Sequence, residues 1–107
     1  MAIRLQQVPK RSAGKLDSVA INGTTWLDGD LFTGTPTATE QTTTDLTITN
    51  VIVNTSTLTV LGDTVAVGAG LQYNVDGGTE GITYDVLIEG VTQAGREFGF
   101  IHSHVCV

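Results

Sequence analysis

A chain of 107 residues makes one domain, with enough surface to bury for a core of its own without metals or disulfides. The net charge of −6 is unevenly spread: four basic residues and no acid precede Asp17, and one arginine stands against eleven acids after it. An acidic body repels nucleic acid and anionic membranes, no apolar run approaches the roughly 18 residues of a membrane span, and Cys106, the one cysteine, has no intrachain partner.

Residues 1–15 hold Arg4, Lys10, Arg11 and Lys15 and form a basic N-terminal arm. The arm lacks the apolar stretch of about 7–15 residues that marks a signal peptide, which implies synthesis in the cytoplasm. A charged, proline-containing terminus reads first as a disordered tail. Its charge also suits docking on an acidic surface, including that of a second copy, so the four basic residues are the candidate partner-binding set.

The remainder, 16–107, reads as one β domain. Asn22-Gly23 signals a turn, and Trp26-Leu27 follows as a core anchor with Gly29 at a turn position. Strands are predicted at about 31–39, 45–53, 56–61 and 64–67, the second alternating Leu46 and Ile48 with Thr47 and Thr49. Leu71, Tyr73 and Val75 share a face. Asp76–Gly81 is a glycine-rich turn, and the strand 82–91 sets Ile82, Tyr84, Val86 and Ile88 opposite Asp85, Leu87 and Glu89. A hairpin turn at Gln93–Arg96 leads into a last strand, 97–107. About seven short strands separated by turn signals predict an immunoglobulin-like antiparallel β-sandwich with an extended N-terminal arm; an open barrel is the rival architecture. Threonine suits the solvent face of such sheets. Asn22-Gly-Thr24 and Asn54-Thr-Ser56 match the glycosylation sequon, a match that a threonine-rich chain makes by chance.

Two segments carry a resemblance. Trp26-Leu27-Asp28-Gly29-Asp30 is similar to a W-L-x-G-D element. Val75–Val86, with paired glycines and a G-x-x-Y strand at Gly81 and Tyr84, is followed by a T-x-x-G-R turn at Thr92–Arg96. Together they resemble the short immunoglobulin-like virion proteins of tailed phages, fibre–tail adaptors in particular, across residues 16–107. The resemblance implies a non-enzymatic adaptor linking tail fibre or spike to the tail, located in the virion, with other virion proteins and further copies of itself as partners. Two features depart from that pattern: the basic arm, and the terminal run Phe98–Val107. A capsid decoration or cement protein is an alternative within the class, and a carbohydrate- or cell-surface-binding immunoglobulin-like module is an alternative outside it.

Each motif residue also has a purely structural role. The glycines permit positive φ, Tyr84 buries its ring while its hydroxyl bonds a backbone group at a sheet corner, and Arg96, the one cation beyond residue 15, pairs with an acid. His102, His104 and Cys106 fall at i, i+2 and i+4 and leave one face of a strand. That spacing suits zinc, or an iron site shared by histidines of three copies. The simpler reading sends Ile101, Val105 and Val107 to the core and the histidines outward, with a bulge at Gly99 to accommodate Phe98 and Phe100. No cofactor is expected. Phosphate-loop and dinucleotide fingerprints are missing, as is an orienting third group for a Cys106–His104 nucleophile.

Overall fold

A computed structural model describes residues 2–5, 10–41 and 43–107, with the backbone alone at Ala2, Arg4, Lys10 and Arg11. Its strands are β1 (Ala2–Arg4), β2 (Lys10–Arg11), β3 (Asp17–Asn22), β4 (Phe32–Glu40), β5 (Leu46–Val53), β6 (Leu58–Val60), β7 (Asp63–Val65), β8 (Gly70–Gly77), β9 (Thr83–Thr92) and β10 (Glu97–Cys106). One helical turn, α1 (Thr24–Leu27), precedes β4. All seven predicted strands are present, their ends within two residues of expectation. The additions are β3 and the two strands of the arm.

The sheet β3-β8-β5 faces the sheet β4-β9-β10, the arrangement of an immunoglobulin-type sandwich, and β6-β7 is a separate hairpin. β1 and β2 lie along the outer edge of β10, both parallel to it. Their register sets Arg4 opposite Ile101, Lys10 opposite Val105 and Arg11 opposite Cys106. Ile3 and Leu5 pack against the core. Ile3-Arg4-Leu5 alternates over too few residues to signal a strand in this charged segment; the pairing is supplied by the open edge of β10. The sheets stay open at β3, β4 and β5, so no barrel closes.

Alternation fills the core as expected on β8 and β9, where Leu71, Tyr73, Val75, Tyr84, Val86 and Ile88 are buried. On β5 the apolar phase switches. Leu46 and Ile48 pack inward, then Val51 and Val53 do, because Asn50 takes φ 51 and the pairing with β8 shifts between Thr49 and Ile52. One inserted residue moves the apolar set to the other parity, the defining property of a bulge. Leu27, rather than its neighbour Trp26, is the buried anchor; Trp26 is half-buried, edge-on to Phe100 at 5.2 Å.

Asn54 ties the loop beyond β5. Its side-chain amide donates to the Ser56 and Ala66 carbonyls, and its carbonyl oxygen accepts from the Gly68 and Gly70 amides, all within 3.0 Å. With 1 % of its surface exposed, this nitrogen offers nothing to a glycosyl transferase in the folded chain. Replacing Asn54 with Ala leaves buried backbone groups without partners, so Asn54→Ala is expected to cost on the order of 3 kcal/mol in urea unfolding. A change within about 0.5 kcal/mol would mean that water replaces the amide.

Candidate functional site

Two of the elements that carry the resemblance, Trp26–Asp30 and Thr92–Arg96, lie far apart in sequence and meet in space. Gly95 takes φ 85 and turns Arg96 back over α1. The guanidinium donates to the carbonyls of Trp26 and Leu27, which end the helical turn, and its Nε and Nη2 reach Asp30 Oδ2 at 3.3 Å. The same group lies 5.1 Å from the centre of the Phe98 ring. On the other side of Asp30, its Oδ1 accepts from the Leu31 and Ala94 amides. The Thr92 hydroxyl foremost holds the Asp30 carboxyl below its ordinary value of 3.8; burial, the next largest effect, opposes it, and these amides and Arg96 each add a smaller lowering. W-L-x-G-D and T-x-x-G-R are therefore two halves of one joint between neighbouring loops.

At the opposite end Tyr84 is fully buried, and its hydroxyl donates to Asp45 Oδ2 while accepting from the Thr79 amide, both at 2.8 Å. This is the corner expected of a tyrosine at the start of β9; the carboxylate partner was not legible in the sequence. Gly77, at φ 87, lies so near the Asp45 carbonyl that a Cβ would stand 2.6 Å from it. The turn therefore excludes every other residue.

The terminal strand overturns the expectation that the histidines face outward. β10 pairs with β9 without interruption from Glu97 opposite Val91 to Val105 opposite Thr83, and Gly99 forms no bulge. Phe98, Phe100, His102, His104 and Cys106 therefore all point between the sheets. Ile101 and Val105 are only half-buried on the other face, and Val107 is exposed. Two phenylalanines outweigh two aliphatic side chains in apolar area removed from water, and the unbroken period of two carries the histidines inward with them.

Inside, Tyr73 of β8 receives both rings. Its hydroxyl lies 2.5 Å from His104 Nε2 and 3.3 Å from His102 Nδ1, and the two imidazole centres are 4.9 Å apart. A phenol has one proton, so one ring nitrogen accepts while the other donates. Burial, with a smaller effect of Asp17, raises the phenol far above its ordinary range. Burial also lowers His102 from 6.5 to about 4, and its Nε2 has no hydrogen-bond partner. Each of the three side chains is at most 1 % exposed. A base or nucleophile so placed meets no substrate in the folded domain; the trio is a polar tie between the sheets. Among the described residues, no group of three or more His, Cys, Asp or Glu is arranged to hold a metal ion, and Cys106 is buried at the end of the row.

Of the basic candidates, Arg4, Lys10 and Arg11 take their places along the edge of β10, and Lys15 is exposed in the segment leading to β3. Gly14 and Ala13 fasten that segment through bonds from their amides to the Gly77 and Val107 carbonyls.

Two acid responses follow. For His102 the folded value lies below the unfolded one, so the unfolded chain binds the proton more readily and stability falls as pH drops from about 6.5 to about 4. That interval corresponds to roughly 3 kcal/mol. His102→Leu is expected to flatten this part of the curve in urea unfolding across pH, and an unchanged slope would place the proton elsewhere. For Asp30 the lowered value stabilises the fold above the ordinary carboxylate range, and this is lost in stronger acid. Asp30→Asn is expected to lower the urea midpoint at pH 7, with the gap to the parent closing as pH falls below 3.8. A gap of constant size would assign the loss to packing.

Comparison of the chain with protein-family models, with curated proteins and with solved structures finds no match.

Proposed function

We propose that this chain is a non-enzymatic structural protein of a phage virion, an adaptor that links a tail fibre or spike to the tail by binding other virion proteins. The observation that carries the reading is the Arg96–Asp30 joint. Two of the elements on which the resemblance rests, W-L-x-G-D and T-x-x-G-R, form one contact in this chain, which supports reading them together. Polar side chains tie both ends of the sandwich, through Arg96 at one and Tyr84 at the other, which suits a module that transmits load between partners. The sugar-binding alternative lacks a platform: none of the six aromatic residues is exposed, with Trp26 and Phe98 half-buried and the other four buried. Stacking on a sugar needs an open ring face.

Antibody labelling of virions in electron micrographs tests the assignment. Label at the junction of fibre or spike with the tail is the expected result. Label spread over the capsid faces would replace the adaptor with a decoration protein, and particles without label would overturn the virion reading.

A further inference from the structure

The outward face of β9 and β10 is hollowed near the hairpin that joins them. On β10 that face carries Glu97, Gly99 and Ile101, opposite Val91, Glu89 and Leu87 of β9. Glu89 therefore has no side chain directly across from it, and Glu97 is its diagonal neighbour, at the roughly 7–8 Å of such pairs. A glycine inside a strand contributes no packing and commonly marks a place where another group approaches the sheet closely. Gly90 faces the core, where a Cβ would stand 3.1 Å from the Phe32 ring; Gly99 faces out.

β4 forms the bank of this hollow. Thr33 lies opposite Val91 and Thr37 opposite Glu89, so β4 takes four steps where β9 takes two, and residues 34–36 leave the ladder. Gly34, at φ 72, makes the departure, and Pro36 returns to the interior. Bulges of this kind are frequent beside binding sites. The recess so formed holds about 710 Å³, with three threonines of β4 on one side, Glu97 and Gly99 on the other, and Leu87 and Val91 between them. Both carboxylates are exposed, and among the described residues neither makes a hydrogen bond or ion pair. Arg96, next to Glu97 in the chain, is turned away to Asp30. Two unpaired like charges at the rim of a concave surface concentrate a negative potential there.

We infer that this recess is a docking site for an arginine of a partner protein, presented on an extended segment, with the guanidinium lying over Gly99 between Glu89 and Glu97. The charge of the rim calls for a cation, and the spacing of the two carboxylates selects its shape. A guanidinium carries five donors in a planar fork and serves two carboxylates at once, whereas an ammonium is a single point of charge. The methylenes of the arginine lie along Leu87 and Val91, as the stems of long cationic side chains do on apolar surface. The threonine hydroxyls of β4 both donate and accept, which suits the backbone of the incoming segment. The inference stands on this recess alone and does not depend on the virion reading.

Magnetic-resonance titration of the isotope-labelled full-length chain tests it, with the peptide acetyl-Gly-Ser-Arg-Ser-Gly-amide at about 50 mM salt. Amide shifts are expected to centre on Glu89–Val91 and Glu97–Gly99, with a Kd of about 1 mM. The same peptide with citrulline in place of arginine keeps the shape without the charge, and is expected to bind about ten-fold more weakly. Glu89→Gln and Glu97→Gln are each expected to weaken the arginine peptide about five-fold. Glu80→Gln removes the same charge from the glycine turn at the opposite end of the sandwich and is expected to change nothing. Shifts spread over the whole surface, equal binding of the citrulline peptide, or an equal effect of Glu80→Gln would reduce the contact to general attraction by an acidic body and overturn the proposal. A chain that shows no shifts up to about 10 mM peptide would overturn it as well.

Discussion

β10 has two faces and a strand on either side, and the choice of inward face organises much of the domain. The inward set is Phe98, Phe100, His102, His104 and Cys106. Phe100 is buried outright and stacks edge-on with both Trp26 and Phe32, which gathers the α1 loop and β4 onto the same centre. Once the phenylalanines face inward, a straight ladder delivers two imidazoles to the core, where an unpaired polar group is costly. Tyr73, reaching across from β8, offsets that cost with one hydroxyl for two rings. The sandwich is thus joined through its middle by aromatic packing at one end of β10 and by a polar tie at the other. Acid weakens this region, because burial makes a charge on His102 costly.

The ends of the sandwich follow a different rule. Each loop cluster is held by a single side chain that serves several backbone groups: Arg96 at the α1 turn, Asn54 between β5 and β8, and Tyr84 with Asp45 beneath the glycine turn. Loops cannot satisfy their own backbone groups as strands do, so a long side chain with several hydrogen-bonding atoms substitutes for a ladder.

The resemblance read from the sequence rested on turn signals, any one of which suits many β-sandwiches. In the fold two of them meet. Asp30 and Arg96 are partners, while Gly95 supplies the backbone angle that brings Arg96 to α1. The pairing of Arg96 with an acid was legible because it is the lone cation of an acidic body. Which acid it meets was not, since eleven were available and the choice depends on how two loops meet in space. The arm was harder still. Its charges were plain, but a strand formed by borrowing the free edge of another leaves little trace in its own residues.

What the sequence determined by itself is whatever depends on neighbours along the chain. Alternation placed seven strands within two residues, and the glycine clusters placed the turns, because pleat and turn geometry are local. The tertiary structure decided matters of phase and partner. Asn50 switched the inward parity of β5, and two phenylalanines chose the inward face of β10 over two aliphatic residues. Tyr73 made buried histidines tolerable from 29 and 31 residues away. Period two is the same whichever face is buried, so the sequence could say that His102, His104 and Cys106 travel together but not in which direction. Only the competition for the space between the sheets settles that, and it is a property of the whole fold.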